Sequence, residues 1–76
     1  MKNIASLLDI LPGTKIRHYK GREYVVVCWA EHSENLGPMV VYQTKTGLNW
    51  ARPTPMFMDL ISWPDGIRRT RFVVVT

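Results

Sequence analysis

The sequence predicts a small all-β domain, an SH3-like barrel of five or six short strands preceded by a short N-terminal α-helix. Stretches that alternate apolar and polar residues, or that are rich in β-branched and aromatic residues, recur along the chain. Turn signals containing glycine or proline separate them. The chain has 76 residues and therefore forms one domain, with residues 1–13 as the helix and its connection and residues 14–76 as the barrel.

The first segment predicts a short amphipathic helix. Its apolar residues recur on one helical face: Ile4, Leu7, Leu8 and Leu11. Asn3 can cap the first turn, and Pro12 and Gly13 end the helix. Two helical turns are not stable alone, so we expect this helix to cover one open end of the barrel.

The central strand is the segment Glu23–Glu31, which is the richest in β-branched and aromatic residues. Strict alternation places Val26 and Cys28 on one face and Val27 and Trp29 on the other. Both faces are apolar, so we expect one to be buried and the other to be partly covered. We expect Cys28 and Trp29 to be core residues.

Shorter strands follow from the same patterns. They are predicted at residues 14–19, 39–45, 48–52 and 68–75, with a further apolar segment at residues 57–63 that places Trp63 in the core. The predicted turns are Lys20-Gly21, residues 32–38, Thr46-Gly47 and residues 64–66.

Composition narrows the classes of function. The formal net charge is +4 with a pI of about 9.6, which permits a polyanionic partner. Cys28 is the single cysteine, so an intramolecular disulfide is excluded and we expect a reducing, cytoplasmic compartment. No apolar run approaches the roughly 20 residues that span a bilayer, so we expect no membrane partner.

Several motifs together resemble a known family. They are RHYKG at residues 17–21, AEHSE at residues 30–34, VVY at residues 40–42, WARP at residues 50–53 and MF at residues 56–57. In this order they resemble the short bacterial proteins catalogued as domain of unknown function sixteen fifty-three, over about residues 15–60. That family usually has threonine where Asn35 stands here. The resemblance implies a small all-β domain and no established activity.

The spacing of polar residues argues against metal and catalytic sites. Zinc sites commonly use paired short spacings among four ligands, whereas Cys28 and His32 are about 13 Å apart along an extended chain. His32, Ser33 and Glu34 are adjacent in one loop, and triad partners come from separate elements. We therefore predict no metal, no cofactor and no enzymatic activity. We expect Ser33 to have a structural role in the loop, whereas the roles of His32 and Glu34 stay open.

Recognition is the predicted function, and we expect a monomeric binding module. Aromatic and charged side chains near strand ends form the candidate site: His18, His32, Glu34, Tyr42, Trp50 and Arg52. In this hypothesis Arg52 and Glu34 supply charge and Tyr42 and Trp50 supply walls, which would suit a small ligand or a peptide with a cationic group such as methylated lysine. Arg52 and Glu34 could instead pair to tie two loops together. For Tyr24 and Trp50 the sequence leaves core and binding roles open.

The alternative function is binding of single-stranded nucleic acid through the basic hairpin at residues 15–22. Its candidate residues are four cations and one stacking residue: Lys15, Arg17, Tyr19, Lys20 and Arg22. The same pattern is also typical of a solvated basic edge that prevents edge-to-edge pairing of strands.

Overall fold

The computed structural model describes residues 10–75 and consists mainly of antiparallel strands. The strands are β1 (Lys15–His18), β2 (Glu23–Glu31), β3 (Pro38–Gln43), β4 (Asn49–Pro53), β5 (Leu60–Ser62), β6 (Arg68–Thr70) and β7 (Phe72–Val74), and one helical turn, α1 (Thr54–Phe57), follows β4. The all-β prediction is confirmed, and β2 has the predicted bounds. The predicted N-terminal helix falls mostly on residues 1–9, which lie outside the described residues.

The strands form an open sheet and a separate hairpin. The five-stranded sheet has the order β4-β3-β2-β1-β7, and β5 pairs with β6 alone. Because β4 and β7 are the two edges of the larger sheet, the described strands do not close into a hydrogen-bonded ring. The described strands therefore do not confirm the predicted barrel, and its SH3-like character stays a prediction.

Two tight turns sit side by side at one end of the sheet. Gly21 has a φ of 102° in the β1–β2 turn, and Gly47 has a φ of 90° in the β3–β4 turn. Each glycine N–H donates back across its turn, to the carbonyl of His18 at 2.8 Å and to that of Thr44 at 3.1 Å. Glycine adopts this left-handed backbone without a Cβ clash, and the two hairpin ends are thereby fixed.

A β-bulge interrupts the central strand. Val26 pairs with Tyr42 and Cys28 with Val41, so Val27 is an extra residue on β2. Beyond the bulge, Trp29 shares a face with its partner Val40, and Cys28 lies on the opposite face from Val26. The predicted alternation fails at this point.

Two predicted core residues next to the bulge are less buried than expected. Trp29 is 48% exposed and its indole N–H donates to the carbonyl of Ile10 at 2.6 Å. Cys28 is half-buried on the face opposite Val26. The prediction that Trp29 is a core residue is wrong, whereas Trp63 is 8% exposed and its core placement is confirmed.

The core is built around stacked aromatic rings. Phe57 from α1 lies parallel to Phe72 from β7, with ring centroids 4.3 Å apart. Tyr42 contacts both rings, and Tyr24 packs edge-on against Tyr42 at 5.1 Å. Aliphatic residues complete this cluster: Ile10, Ile16, Val26 and Val40. The aromatic cluster therefore joins β2, β3, α1 and β7.

The last predicted strand is divided in two at Arg71. Its backbone N–H donates to the carbonyl of Asp59, and its guanidinium forms an ion pair with the Asp59 carboxylate at 2.8 Å. Phe72 then begins the strand that pairs with β1. The break moves the chain from the small hairpin into the main sheet.

Candidate functional site

The two glycine turns flank an open groove of about 620 Å³. Residues 21–24, residues 44–46, Leu48 and Trp50 line it. We call it the Trp50 groove. Its volume falls within the roughly 300–1,000 Å³ of ligand-binding clefts. The residues that line it come from the ends of β1–β2 and β3–β4, so the groove depends on the packing of two hairpins.

Trp50 is presented to solvent by an edge strand. It lies directly opposite Tyr42 in the β3–β4 ladder, yet 54% of Trp50 is exposed, compared with 5% of Tyr42. The neighbouring Tyr24 is half-buried, and its ring packs against Tyr42 and Phe72. The groove is therefore lined by the packed ring of Tyr24 and by the exposed indole of Trp50.

The charge around the Trp50 groove is positive. Arg22 and Lys45 are exposed, and within residues 10–75 neither forms a salt bridge. The one acid in the groove, Glu23, accepts hydrogen bonds from Nε and Nη2 of Arg17 at 3.2 and 2.5 Å. The Arg17 hydrogen bond lowers the pKa of Glu23, which keeps this carboxylate ionised and engaged.

Three residues of the predicted site come together on the inner face of the sheet. The Arg52 Nε–H donates to the Tyr42 hydroxyl at 3.5 Å, and its guanidinium lies 5.8 Å from the centre of the Phe72 ring. The His18 ring packs edge-on against Phe72 at 4.9 Å. Tyr42 belongs to the core and packs against Tyr24, which lines the groove. These three residues therefore contact the groove only indirectly, through Tyr24.

His18 is held neutral in this setting. Burial, followed by the positive charges of Arg52, Arg71 and Lys20, lowers its pKa from 6.5 to about 4. Its Nδ1 accepts the backbone N–H of Lys20 at 3.2 Å, which leaves Nε2 as the protonated nitrogen. The side chain therefore ties the β1–β2 turn to the core.

His32 and Glu34 lie at the opposite end of the β2–β3 hairpin, in the segment at residues 32–37 that we call the His32 loop. The Nδ1 of His32 accepts the Glu34 backbone N–H at 3.2 Å, and the Asn35 side chain accepts the N–H of Gly37 at 2.9 Å. In the part of the chain that the structure describes, no ion pair joins Glu34 to Arg52. The structure separates these two residues from the rest of the predicted site.

The residues of the basic hairpin, proposed for the alternative function, fall into two groups: some contact other side chains of the protein, and others are exposed. Tyr19 is covered on its faces, with His18, Lys20 and Arg71 at 4.4, 5.8 and 5.8 Å from its ring. Arg17 is engaged by Glu23. The three other cations of the hairpin are exposed: Lys15, Lys20 and Arg22.

Sequence reasoning missed Lys45, and it left Tyr24 undecided. Lys45 is three residues after Tyr42 and five before Trp50, and only the packing of two turns places it in one groove with Arg22. A signal was present, since Lys45 precedes the predicted Thr46-Gly47 turn. A cation beside a predicted turn that is followed by a tryptophan could have been added to the candidate site.

Two negative findings apply to the described residues only. No group of three or more histidine, cysteine, aspartate or glutamate side chains within residues 10–75 is arranged to hold a metal ion. In the same range, no helix has the length and apolar character needed to cross a lipid bilayer. The absence of a metal or cofactor stays a prediction.

Comparison with known proteins identifies the family. A search of curated proteins and a search of solved structures each found no match. Residues 14–74, which include all strands of the described residues, match the family described as Protein of unknown function (DUF1653). The resemblance inferred from the RHYKG, AEHSE, VVY and WARP motifs is confirmed: the chain belongs to the DUF1653 family.

Proposed function

We propose that this protein is a non-enzymatic binding module whose ligand occupies the Trp50 groove. The observation that carries the proposal is the exposed indole of Trp50 beside two exposed cations, Arg22 and Lys45. A large aromatic surface in water is unfavourable for an isolated domain, and exposed aromatics at a concave site are typical of binding surfaces.

The charges of the groove favour an anionic ligand. A cationic ligand such as methylated lysine needs an available acid or an aromatic cage. Glu34, the acid first considered for this role, lies in the His32 loop, and Glu23 is already engaged by Arg17. Arg22 and Lys45 would repel a cation, so we infer that the ligand carries negative charge and a planar or apolar group for Trp50.

The side chains of the groove support binding more than catalysis. General acid–base catalysis needs a titratable group free to exchange its proton near the reacting atom. Glu23, the one carboxylate that lines the groove, is fixed in its ionised form by Arg17. No histidine or cysteine is among the residues that line it.

A chemical-shift perturbation screen of the full chain tests the proposal. The probes are a nucleoside monophosphate, an oligonucleotide, an acidic peptide, a trimethyl-lysine peptide and zinc. We expect an anionic probe to move the amide signals of residues 21–24 and 44–48 and the indole signal of Trp50. The same titration of Trp50→Ala should shift those amide signals much less at equal probe concentration.

Two other results would overturn the proposal. Perturbations confined to the His32 loop would move the site to the other end of the hairpin. If no anionic probe shifts the residues of the groove at low salt, the groove is not a binding site. The indole signal of Trp29 provides an internal control, because Trp29 is also exposed but does not line the groove.

A further inference from the structure

We propose that the ligand of the Trp50 groove is single-stranded nucleic acid, with a base stacked on Trp50 and the phosphates held by Arg22, Lys45 and Lys15. The inference rests on the proposed function, because it names the class of ligand for the same groove. It also changes the sequence-based alternative, in which Tyr19 was the stacking residue. Tyr19 is covered by its neighbours, whereas Trp50 is available.

The length of the basic surface points to an extended polyanion. A second, smaller groove of about 190 Å³ adjoins the first, and the two share Glu23, Tyr24, Thr44 and Lys45 as lining residues. Lys15 lines the far side of the second groove. The lining residues of the two grooves thus run from Trp50 past Lys45 to Lys15, so that cations from both grooves could meet one extended polyanion.

The charges along this path suit a phosphate backbone. Lys15, Arg22 and Lys45 are exposed, and none of them is paired with a carboxylate within the described part of the chain. Glu23, which lines both grooves, remains ionised, and its negative charge is balanced by the ion pair with Arg17. Each cation that meets a phosphate releases condensed counterions, and this release drives binding to nucleic acid.

The aromatic residues explain why we infer a single strand. A base can stack on an exposed ring only when it is not stacked within a duplex. Trp50 supplies such a ring, and Tyr24 beside it is held by Tyr42 and Phe72. A helix inserted into the major groove is one way to recognise a duplex, and the one helix in the described chain has four residues.

Fluorescence anisotropy with the full chain and a labelled oligodeoxythymidylate tests the inference. We expect binding that weakens steeply with salt and a weaker response to a duplex. Trp50→Ala should weaken binding about ten-fold, since stacking of one base has an effect of that order. Trp50→Phe should recover part of the loss, because phenylalanine retains a ring. Trp29→Phe is the matched control and should bind as the wild type does.

The salt dependence tests the cations separately. For single strands the slope of log K against log salt falls by about 0.7 for each phosphate contact removed. Arg22→Gln combined with Lys45→Gln should therefore reduce the slope by about 1.4. Arg68→Gln removes an exposed cation from β6, outside both grooves, and should leave the slope unchanged.

The outcomes separate this inference from the proposed function. Equal affinity for single strand and duplex, or binding unaffected by Trp50→Ala, overturns the nucleic-acid inference. If the oligonucleotide fails to bind at low salt while the acidic peptide shifts the amide signals of residues 21–24, the inference fails and the binding groove stands. If no probe shifts those signals, both proposals fail.

Discussion

Both ends of the β2–β3 hairpin carry polar side chains, but the side chains at the two ends have different partners. In the His32 loop, the polar groups of His32 and Asn35 accept hydrogen bonds from the loop's own backbone. In the Trp50 groove, Arg22 and Lys45 form no salt bridge within residues 10–75, and Trp50 is exposed. A candidate binding site is therefore better indicated by exposed side chains that form no salt bridge or loop hydrogen bond than by the residue types in the sequence.

The largest expected effect tests how much the aromatic cluster next to the Trp50 groove contributes to the free energy of unfolding. Phe72 contacts the rings of His18, Tyr24, Tyr42 and Phe57. Phe72→Ala should lower the free energy of unfolding by about 3–5 kcal/mol because it leaves a cavity among these rings. Urea denaturation followed by far-UV circular dichroism measures the loss.

Phe72→Leu keeps most of the volume and is the matched control, with a loss of roughly 1–2 kcal/mol. A loss of less than about 1 kcal/mol in Phe72→Ala would show that the aromatic cluster does not support the groove.

The second effect concerns the pH dependence of stability. The unfolded chain binds a proton on His18 below pH 6.5, whereas burial and nearby cations lower the pKa of folded His18 to about 4. Stability should therefore rise as the pH rises from about 4 to 6.5. Taken at face value the lowered pKa corresponds to about 3 kcal/mol, and solvent screening of a half-buried group reduces this to about 1–2 kcal/mol.

Denaturation at a series of pH values measures that slope. His18→Asn should remove the rise between about pH 5 and 6.5 while keeping an acceptor for the Lys20 N–H. Below about pH 5 the carboxylates of Glu23, Asp59 and Asp65, whose pKa values are also lowered, contribute to the slope. If the free energy of unfolding of His18→Asn depends on pH as strongly as that of the wild type, groups other than His18 cause the dependence.

A third, smaller effect tests the assignment of a structural role to the His32 loop. His32→Ala removes the acceptor for the Glu34 N–H and should cost about 1 kcal/mol in a urea titration. Its affinity for the anionic probe that shifts the groove signals should equal that of the wild type. A several-fold weaker affinity in a folded His32→Ala variant would give both ends a part in binding.

The smallest effect compares one leucine from each end. Leu36 in the His32 loop has a φ of 56°, a left-handed conformation unfavourable for leucine by roughly 1–2 kcal/mol. Leu36→Gly relieves that strain but makes the unfolded chain more flexible, so a net gain of about 0.5 kcal/mol is expected. Leu48 has no positive φ, and Leu48→Gly should instead lose about 0.5–1 kcal/mol. Urea midpoints that move in the same direction for both variants would contradict this account.

Local patterns predicted much of the fold because strands and tight turns depend on neighbouring residues. The bounds Glu23–Glu31 were predicted from the content of β-branched and aromatic residues, and the Lys20-Gly21 and Thr46-Gly47 turns follow from glycine. The bulge at Val27 could not be read in this way, since it appears only when β2 is paired with β3. The same limit applies to the break at Arg71, which depends on the distant Asp59.

The site was predicted less well because it is formed by tertiary packing. Sequence proximity grouped His32 with Glu34 and Tyr19 with Lys20, and the structure uses most of these groups internally. Trp50 was among the candidates and lines the groove, but its neighbours there, Arg22 and Lys45, come from different hairpins. A single sequence does not state which turns meet.

The bulge on β2 has a consequence for insertions and deletions. A strand normally tolerates neither, because removing one residue moves every later side chain to the opposite face. Val27 is an extra residue relative to β3, so its deletion would give continuous pairing and keep Val26 and Trp29 opposite Tyr42 and Val40. Along the nine residues of β2, this is the position at which the length of the chain can change by one without reversing the two faces of the sheet.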